Sequence, residues 1–375
     1  MSEEYKDIKP YTDEEASKAL ERVSRHIMTP VISKYLFPEL PSDTLRKMLK
    51  GIKSVDDFQK LIMSKAIGSI LYKTSDGFTY SGIENLLALD GGKFLAVSNH
   101  RDIILDPALT QYTLFQGGIP LTEICVGNNL LSSQLVEDLM RSNRMITVIR
   151  GITARQLYLS SKVLSSYIRD RITGGKSSVW IAQREGRTKD GRDSTEQGLL
   201  KMFDMSGEKG FFENFKELNV VPLSISYEYE PCDAKKAREL LIKERNGGKY
   251  RKRKGEDLHS ILTGVKQAKG HIHLHIGAPL TDSEIEKASL LGGNERYHAL
   301  MDTLDRRIHD GYMLYKTNYM AYDLLNGGKR YSSRYSAEEL EKFKAYVEHK
   351  LGKVERRYQG DRLREIFLGI YANPV

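Results

Sequence analysis

The stretch FLAVSNHRDIILDP, residues 94–107, starts as an apolar, strand-like run and ends in polar residues suited to catalysis. His100 follows the apolar run directly, and Asp102 and Asp106 follow within two helical turns. Histidine titrates near neutral pH, so it can take a proton from a hydroxyl when a carboxylate fixes its tautomer. The stretch therefore predicts a strand that leads to a general base, with either aspartate as the orienting partner.

Similar apolar runs recur along the middle of the chain and alternate with helix-like runs such as ARQLYLSSKVLSSYIRDRI, residues 154–172. This alternation is typical of an α/β fold with a mostly parallel central sheet flanked by helices. In such sheets, sites form beyond the carboxyl ends of the strands. Four polar residues each come just after a strand-like run, namely His100, Asn128, Arg150 and Glu185. We therefore expect them to share one pocket.

The patterns change along the chain in a way that predicts three regions. Residues 1–80 have apolar positions spaced by three and four, which indicates a helical N-terminal region. Residues 81–282 carry the alternating strands and helices, and residues 283–375 again have helical periodicity with alternating charges. We therefore predict one α/β domain between a helical N-terminal region and a helical C-terminal region.

A second polar loop follows the apolar run SVWIA, in the segment SVWIAQREGRTKDGR at residues 178–192. It contains Glu185, Gly186, Arg187 and Lys189. Guanidinium groups bind oxyanions through two parallel hydrogen bonds, and glycine lets backbone amides approach closely. The loop therefore suits a phosphate or a carboxylate.

Four ordered segments together resemble the motif blocks of the glycerolipid acyltransferase superfamily, and they are most similar to its glycerol-3-phosphate acyltransferase branch. The segments are NHRDIILD, GNNLL through VIRG, REGRTKDGR and VVPLSISYE, and the resemblance covers roughly residues 81–282. It identifies this region as the acyltransferase domain. Two departures stand out: one extra residue separates His100 from Asp106, and Arg187 directly follows Gly186 in a shortened third block.

The resemblance also implies roles for individual residues. His100 would be the general base, and Asp106 is favoured over Asp102 as its partner because Pro107 and a helix-like run follow it, as in the family. Asn99 and Arg101 could be site residues or local hydrogen-bonding groups. The resemblance implies that Arg150 and Arg187 hold the phosphate of the acceptor, while Glu185 and Gly186 shape the acceptor site. Lys189 is a further candidate for holding the phosphate.

The implied reaction is the transfer of a fatty acyl group from a thioester donor, acyl-CoA or acyl carrier protein, to a glycerol-3-phosphate-type hydroxyl in phospholipid biosynthesis. No cofactor and no metal are expected. Lysophosphatidate (1-acylglycerol-3-phosphate) or another lyso-lipid is the alternative acceptor. The imidazoles of the strand-like run HIHLHI, residues 271–276, would lie along roughly 13 Å of one strand face, too far apart for one zinc ion.

Charge points to acidic partners. The 375-residue chain has 58 Lys and Arg against 50 Asp and Glu, a net charge of +8. The basic run KERNGGKYRKRK, residues 243–254, suits anionic lipid or acyl carrier protein better than nucleic acid, because only Tyr250 interrupts it as a stacking aromatic. A solvated loop with no specific partner is the other interpretation of this run. An alternative from another class is a non-enzymatic protein that binds anionic lipid or nucleic acid through this run.

The N-terminus has no secretory signal, and no run of 18 apolar residues occurs. We therefore expect a cytoplasmic protein that is peripheral on the inner face of the membrane. The apolar segment IMTPVISKYLFPEL, residues 27–40, could contact a bilayer, although packing against the next domain is the preferred interpretation. Two cysteines, Cys125 and Cys232, are too few for a disulfide framework and are interpreted as ordinary core or near-surface thiols.

Overall fold

The computed structural model describes residues 3–131 and 133–375. Before the sheet the chain is helical, because capping signals and amphipathic periods coincide there. Thr12 and Glu15 form a capping box at the first α-helix, which ends near Arg25. The helices of this region are α1 (Asp13–Arg25), α2 (Thr29–Leu36), α3 (Thr44–Gly51), α4 (Val55–Phe58) and α5 (Ser64–Thr74), with a 3-10 turn at Glu3–Tyr5 and a π-helical segment at Gln59–Met63.

The sheet has seven strands in the order β1-β7-β6-β2-β5-β3-β4. Neighbouring strands are parallel except β6 and β7, which pair antiparallel. The carboxyl ends of β2 to β6 therefore meet at one edge. The strands are β1 (Gly77–Ser81), β2 (Leu95–Ser98), β3 (Glu123–Gly127), β4 (Met145–Val148), β5 (Val179–Ala182), β6 (Val220–Tyr227) and β7 (His271–Ile276).

Helices cover both faces of the sheet. Val97 and Ile181 lie in one apolar cluster, while Ala96 and Trp180 lie in another, as alternation of side chains along a strand requires. Strands buried on both faces read as nearly continuous apolar runs. The helices between the strands are α6 (Glu84–Leu87), α7 (Leu105–Gln116), α8 (Gln134–Arg141), α9 (Ala154–Thr173), α10 (Gln197–Asp204), α11 (Phe211–Lys216), α12 (Asp233–Arg245) and α13 (Glu256–Lys266), with a 3-10 turn at Asn128–Leu130.

The C-terminal helices divide between two cores. Leu300 and Leu304 join the cluster that packs on the sheet, whereas Phe343 and Phe367 belong to a separate cluster shared with α12. These helices are α14 (Asp282–Ser289), α15 (Glu295–Asp310), α16 (Lys316–Asn326), α17 (Ala337–Leu351) and α18 (Asp361–Ala372), with 3-10 turns at Ser332–Arg334 and Arg356–Tyr358. The last three helices therefore form a small core of their own beside α12.

The predicted fold class is confirmed. The strand-like apolar runs in the middle of the chain form β2 to β7 of a mostly parallel sheet with helices on both sides, and helical regions precede and follow it. β1, a short edge strand that crosses the predicted limit at residue 80, was not predicted from the sequence. Its residues, GFTYS, carry no apolar run, and they become a strand because they lie beside β7, with Gly77 opposite His271.

The fold shows how the two cysteines and the apolar segment 27–40 are placed. Cys125 and Cys232 are both free and buried. The segment 27–40 divides: Tyr35 and Leu36 pack against an apolar cluster, but Ile27, Met28 and Val31 are exposed. Among the described residues, no helix is both long enough and apolar enough to cross a bilayer.

Candidate active site

His100 and Asp106 form a close pair at the carboxyl end of β2. The Nδ1 atom of His100 lies 2.9 Å from Oδ2 of Asp106. The imidazole is 14% exposed and the carboxylate is fully buried. The Trp180 ring lies edge-on to the imidazole, with the ring centroids 6.0 Å apart. Because Asp106 engages Nδ1, Nε2 is the nitrogen left to accept a proton.

Asp106 is fixed by three further donors. Its Oδ2 accepts hydrogen bonds from the backbone amides of Arg101 and Asp102, at 2.6 and 2.8 Å. Its Oδ1 accepts one from the Tyr227 hydroxyl at 2.8 Å. Burial, and then the nearby Asp106 carboxylate, raise the pKa of Tyr227 well above its usual value, so this phenol stays protonated and donates. The carboxylate is thus held in the acceptor state that orients the imidazole.

Asp102, the other candidate partner of His100, has a different place. Its Oδ1 accepts hydrogen bonds from the amides of Ile104 and Leu105, at 3.0 and 2.9 Å. These two amides lie at the start of α7, where backbone donors have no partner within the helix. Asp102 therefore caps the helix that carries Asp106, and Asp106 is the aspartate that contacts His100.

Asn99 and Arg101 lie behind the pair and form the scaffold of the loop. Asn99 is fully buried and forms two hydrogen bonds with the backbone of Ile225. Its side-chain Nδ2 donates to the Ile225 carbonyl, and its Oδ1 accepts from the Ile225 amide. Arg101 is 1% exposed and donates to Asp193 from Nε and Nη2, at 3.0 and 2.7 Å. Asn99 also donates to Asp193, at 3.0 Å. Of the two interpretations from the sequence, the structure gives these residues the local hydrogen-bonding one.

The charges around Arg101 balance within the protein. Burial alone would raise the pKa of Asp193, but the Arg101 guanidinium and hydrogen bonds hold it below the usual carboxyl value. Glu230 lies 3.5 Å from the same guanidinium, and the Tyr312 ring packs against it at 5.1 Å. Lys236 donates to Glu230 and to the Arg101 carbonyl, at 2.5 and 2.7 Å. A buried network therefore fixes the backbone that positions His100.

Arg150 and Glu185 meet at the same edge of the sheet. The side-chain oxygen Oδ1 of Asn128 accepts a hydrogen bond from the backbone amide of Arg150 at 3.1 Å. This bond joins the loops after β3 and β4. The Arg150 guanidinium lies 3.7 Å from the Glu185 carboxylate, and both side chains remain partly open to solvent. These contacts bring together two residues that the resemblance placed in the acceptor site. Their role in binding stays a prediction.

The loop after β5 turns at Gly186 and returns to residues 99–104, the loop that carries His100 and is the candidate catalytic loop. Gly186 has φ +72°, a conformation that favours glycine. Two residues later, the Thr188 amide donates to the His100 carbonyl at 2.7 Å. Lys189 forms an ion pair with Glu239 of α12, so its charge is already matched. Arg187 points toward α12 and lines a basin of about 1050 Å³ beside the loop.

The histidines of β7 are bound by hydroxyls and a carboxylate. His273 lies 2.8 Å from Thr79 and 3.0 Å from Ser81, and His275 lies 2.9 Å from Ser81. His271 instead lies 2.7 Å from Glu228. Asp76, Glu228 and His271 are close enough to hold a cation, but Asp76 and His271 are exposed. The expectation that no metal takes part stays a prediction.

Several residues of the site were absent from the sequence interpretation. They are the partners that fix the catalytic loop from far along the chain: Tyr227, Asp193, Glu230, Lys236 and Tyr312. Tyr227 stands within the fourth motif block, but its strand pattern shows only a core position. The others lie in polar or helical stretches with no motif, and only the fold brings them to Arg101.

Comparison with protein families agrees with the motif order. Residues 77–228 match the family model described as Acyltransferase, and a comparison with curated proteins gave no match. The matched range runs from β1 to the end of β6, so it contains His100, Asp106 and the Glu185 loop. The similarity to the Acyltransferase family thus covers residues 77–228, the part of the chain that forms β1 to β6.

Proposed function

We propose that this protein transfers a fatty acyl group from a thioester donor to a hydroxyl of a glycerol-3-phosphate-type acceptor. The observation that carries the proposal is the contact between His100 and the buried Asp106, within a domain that matches the acyltransferase family. Histidine held in this way can act as a general base at neutral pH. Acyl-CoA or acyl carrier protein would supply the acyl group.

The proposed reaction proceeds by direct transfer. Nε2 of His100 takes the proton of the acceptor hydroxyl as its oxygen attacks the thioester carbonyl. A C–O bond forms and the C–S bond breaks, and the departing thiolate takes the proton back from the imidazolium. Burial raises the pKa of both cysteine thiols, Cys125 and Cys232, which disfavours the thiolate that a nucleophile needs. This argues against an acyl-enzyme on either cysteine.

The acceptor would bind through the loops after β4 and β5. Arg150 and Arg187 offer guanidinium groups to a phosphate, and Glu185 and Gly186 shape the loop between them. Glycerol-3-phosphate is the first choice of acceptor, because the first two motif blocks are most similar to that branch. Lysophosphatidate and other lyso-lipids are the alternatives.

A role in phospholipid biosynthesis would place the protein on the inner face of an anionic membrane. Ile27, just before α2, and Val31, within it, are 82% and 58% exposed, and Lys34 follows on the helix. Apolar side chains next to lysine suit the boundary between headgroups and acyl chains. We expect the double variant Ile27→Ser and Val31→Ser to sediment less with phosphatidylglycerol vesicles. Leu290→Ser, which changes an 81% exposed leucine elsewhere, should sediment like the native protein.

The test of the reaction is acyl transfer from labelled acyl-CoA and acyl carrier protein to glycerol-3-phosphate and, separately, to lysophosphatidate. The native protein is compared with His100→Ala and with His298→Ala, a control at a half-exposed histidine outside the site. We expect product from one acceptor, a loss of at least about a hundredfold in His100→Ala, and native activity in His298→Ala.

The outcomes separate the candidate functions. Product from lysophosphatidate alone would move the assignment to that branch. If native protein acylates no lyso-lipid acceptor, yet binds anionic vesicles or nucleic acid in a salt-dependent way that survives His100→Ala, the non-enzymatic alternative takes its place.

A further inference from the structure

A basin of about 1050 Å³ lies beside the catalytic loop, and most of its wall comes from outside the matched domain. Helices α12 and α13 and the end of α17 line it, together with Arg187 from the loop after β5. Arg187 directly precedes Thr188, whose amide bonds the His100 carbonyl, so the basin begins next to the catalytic loop. The end of the basic run 243–254 forms part of the wall.

Three of the four carboxylates that line the basin form ion pairs. Glu239 pairs with Lys189, Glu355 with Arg238, and Asp233 with Lys350. Glu256 accepts a hydrogen bond from the Tyr250 hydroxyl at 2.7 Å. The basin therefore has little negative charge left to neutralise its other cations.

The remaining cations face the basin without a carboxylate within 4.0 Å among the described residues: Arg187, Lys235, Arg253, Lys254, Lys266 and Lys353. Nη1 of Arg187 is buried and has no hydrogen-bond partner in the described part of the chain. Lys235 lies 3.1 Å from His259, so two nitrogen bases meet here instead of an ion pair. Burial lowers the pKa of Lys235, and the positive charges of Arg187 and Arg238 lower it further against the opposing effects of Cys232 and Glu256. An anion in the basin would relieve this repulsion.

We propose that the basin binds the phosphorylated nucleotide end of a CoA thioester, and so makes acyl-CoA the donor for the catalytic loop. This inference rests on the proposed function, because it names the donor of that reaction. The 3′-phosphate and the pyrophosphate of CoA would engage the unmatched cations of α12, α13 and the end of α17. The thioester arm would then pass Arg187 toward His100.

Size and shape favour a nucleotide over the other phosphate-bearing candidates. Pockets for drug-sized ligands enclose about 300–1,000 Å³, which a single glycerol phosphate would leave largely empty. The unmatched cations are also more numerous than one phosphate of about −2 charge requires. A carrier protein is a folded acidic partner that needs an open docking face, whereas these cations line a concavity.

Binding of 3′,5′-ADP, which reproduces the nucleotide end of CoA without the thioester, tests the inference by calorimetry. The probe variant combines Lys235→Gln and Lys353→Gln. The matched control combines Lys243→Gln and Lys344→Gln, which remove the same charge from α12 and α17 outside the basin. We expect the basin variant to weaken binding about tenfold or more, and the control variant and His100→Ala to bind like the native protein.

A kinetic arm uses two donors, acyl-CoA and the acyl thioester of N-acetylcysteamine, which lacks the nucleotide. The basin variant should have a higher KM for acyl-CoA than the native protein, and the same KM for the N-acetylcysteamine thioester. Absence of 3′,5′-ADP binding, or equal binding in the basin variant, would overturn the inference. The inference would also be overturned if glycerol-3-phosphate or inorganic phosphate bound more tightly than 3′,5′-ADP and the basin variant abolished that binding. Failure of the proposed function is a separate result, because it appears as no transfer from either donor.

Discussion

Asp106 is a buried carboxylate whose two oxygens are both occupied by donors. His100 and two backbone amides engage Oδ2, and Tyr227 engages Oδ1. An uncharged amide in its place would turn an NH2 group toward at least one of these donors. The carboxylate therefore fixes both the imidazole tautomer and the shape of the loop.

We expect Asp106→Asn to lower kcat by about a hundredfold or more, because His100 loses its orienting acceptor. It should also lower the free energy of unfolding by about 1–3 kcal/mol, because buried donors face one another. Tyr227→Phe removes a single hydroxyl donor and should lower kcat far less. Steady-state kinetics and urea denaturation measure both. An Asp106→Asn enzyme with native kcat would remove Asp106 from the mechanism.

The Arg101–Asp193 pair gives a pH-dependent contribution to stability. Burial raises the pKa of Asp193, but the Arg101 charge and the hydrogen bonds from Asn99 and Arg101 together outweigh it, so the pKa in the folded protein lies below its usual value. A depressed carboxyl pKa stabilises the fold above the unfolded pKa of about 3.9. This contribution is lost as the pH falls through the lower, folded pKa.

We expect Asp193→Asn to lose about 3 kcal/mol between pH 5 and 8, because Arg101 is left buried beside fewer charges. The difference from native protein should shrink below about pH 4. Urea denaturation at several pH values measures it. Glu21→Gln breaks an exposed pair with Arg25 and should change stability by less than about 1 kcal/mol. A difference for Asp193→Asn that is constant down to pH 3 would contradict the assigned cause.

At the scale of elements, the start of α7 decides where Asp106 lies. Asp102 accepts from the Ile104 and Leu105 amides, so it fixes the first turn of the helix that presents Asp106. The sequence alone left Asp102 and Asp106 as rival partners of His100. The two aspartates instead have successive tasks, one at the helix start and one at the base.

Asp102→Ala should therefore lower the free energy of unfolding by about 0.5–2 kcal/mol, because two amides lose their cap. Asp102→Asn keeps an acceptor oxygen and should retain most of that stability and the activity. Thermal melts and acyl transfer assays compare the two variants. If Asp102→Asn lost as much activity as His100→Ala, Asp102 would have a role in catalysis beyond capping.

At the scale of the whole molecule, the last helix braces the loop that holds Arg101. The Gly191 carbonyl accepts a hydrogen bond from Arg101 at 3.2 Å, and Asn373 donates to the Asp190 carbonyl at 2.6 Å. Gly191 has φ +83°, and a Cβ atom there would overlap the Ile370 carbonyl of α18. The C-terminal helices and the catalytic loop are thus packed as one unit.

We expect Gly191→Ala to destabilise the protein by about 1–3 kcal/mol more than Gly175→Ala, because only the first adds a clash to the backbone strain. Gly175 has a similar φ of +65° and open space around it. The first variant should also lower kcat, since the loop behind His100 would shift. Urea denaturation and transfer assays measure both effects, and equal stability losses would show that α18 does not brace the loop.

The sequence by itself determined six of the seven strands, the fold class and the His100 neighbourhood, because apolar runs and short motifs are local signals. It left the partner of His100 open and gave Asn99 and Arg101 two interpretations. Tertiary structure decided these points, since Tyr227 reaches Asp106 across 121 residues of chain. It also made a basin from helices that carry no motif. Burial and long-range contact set charge pairing, and neither can be read from local periodicity.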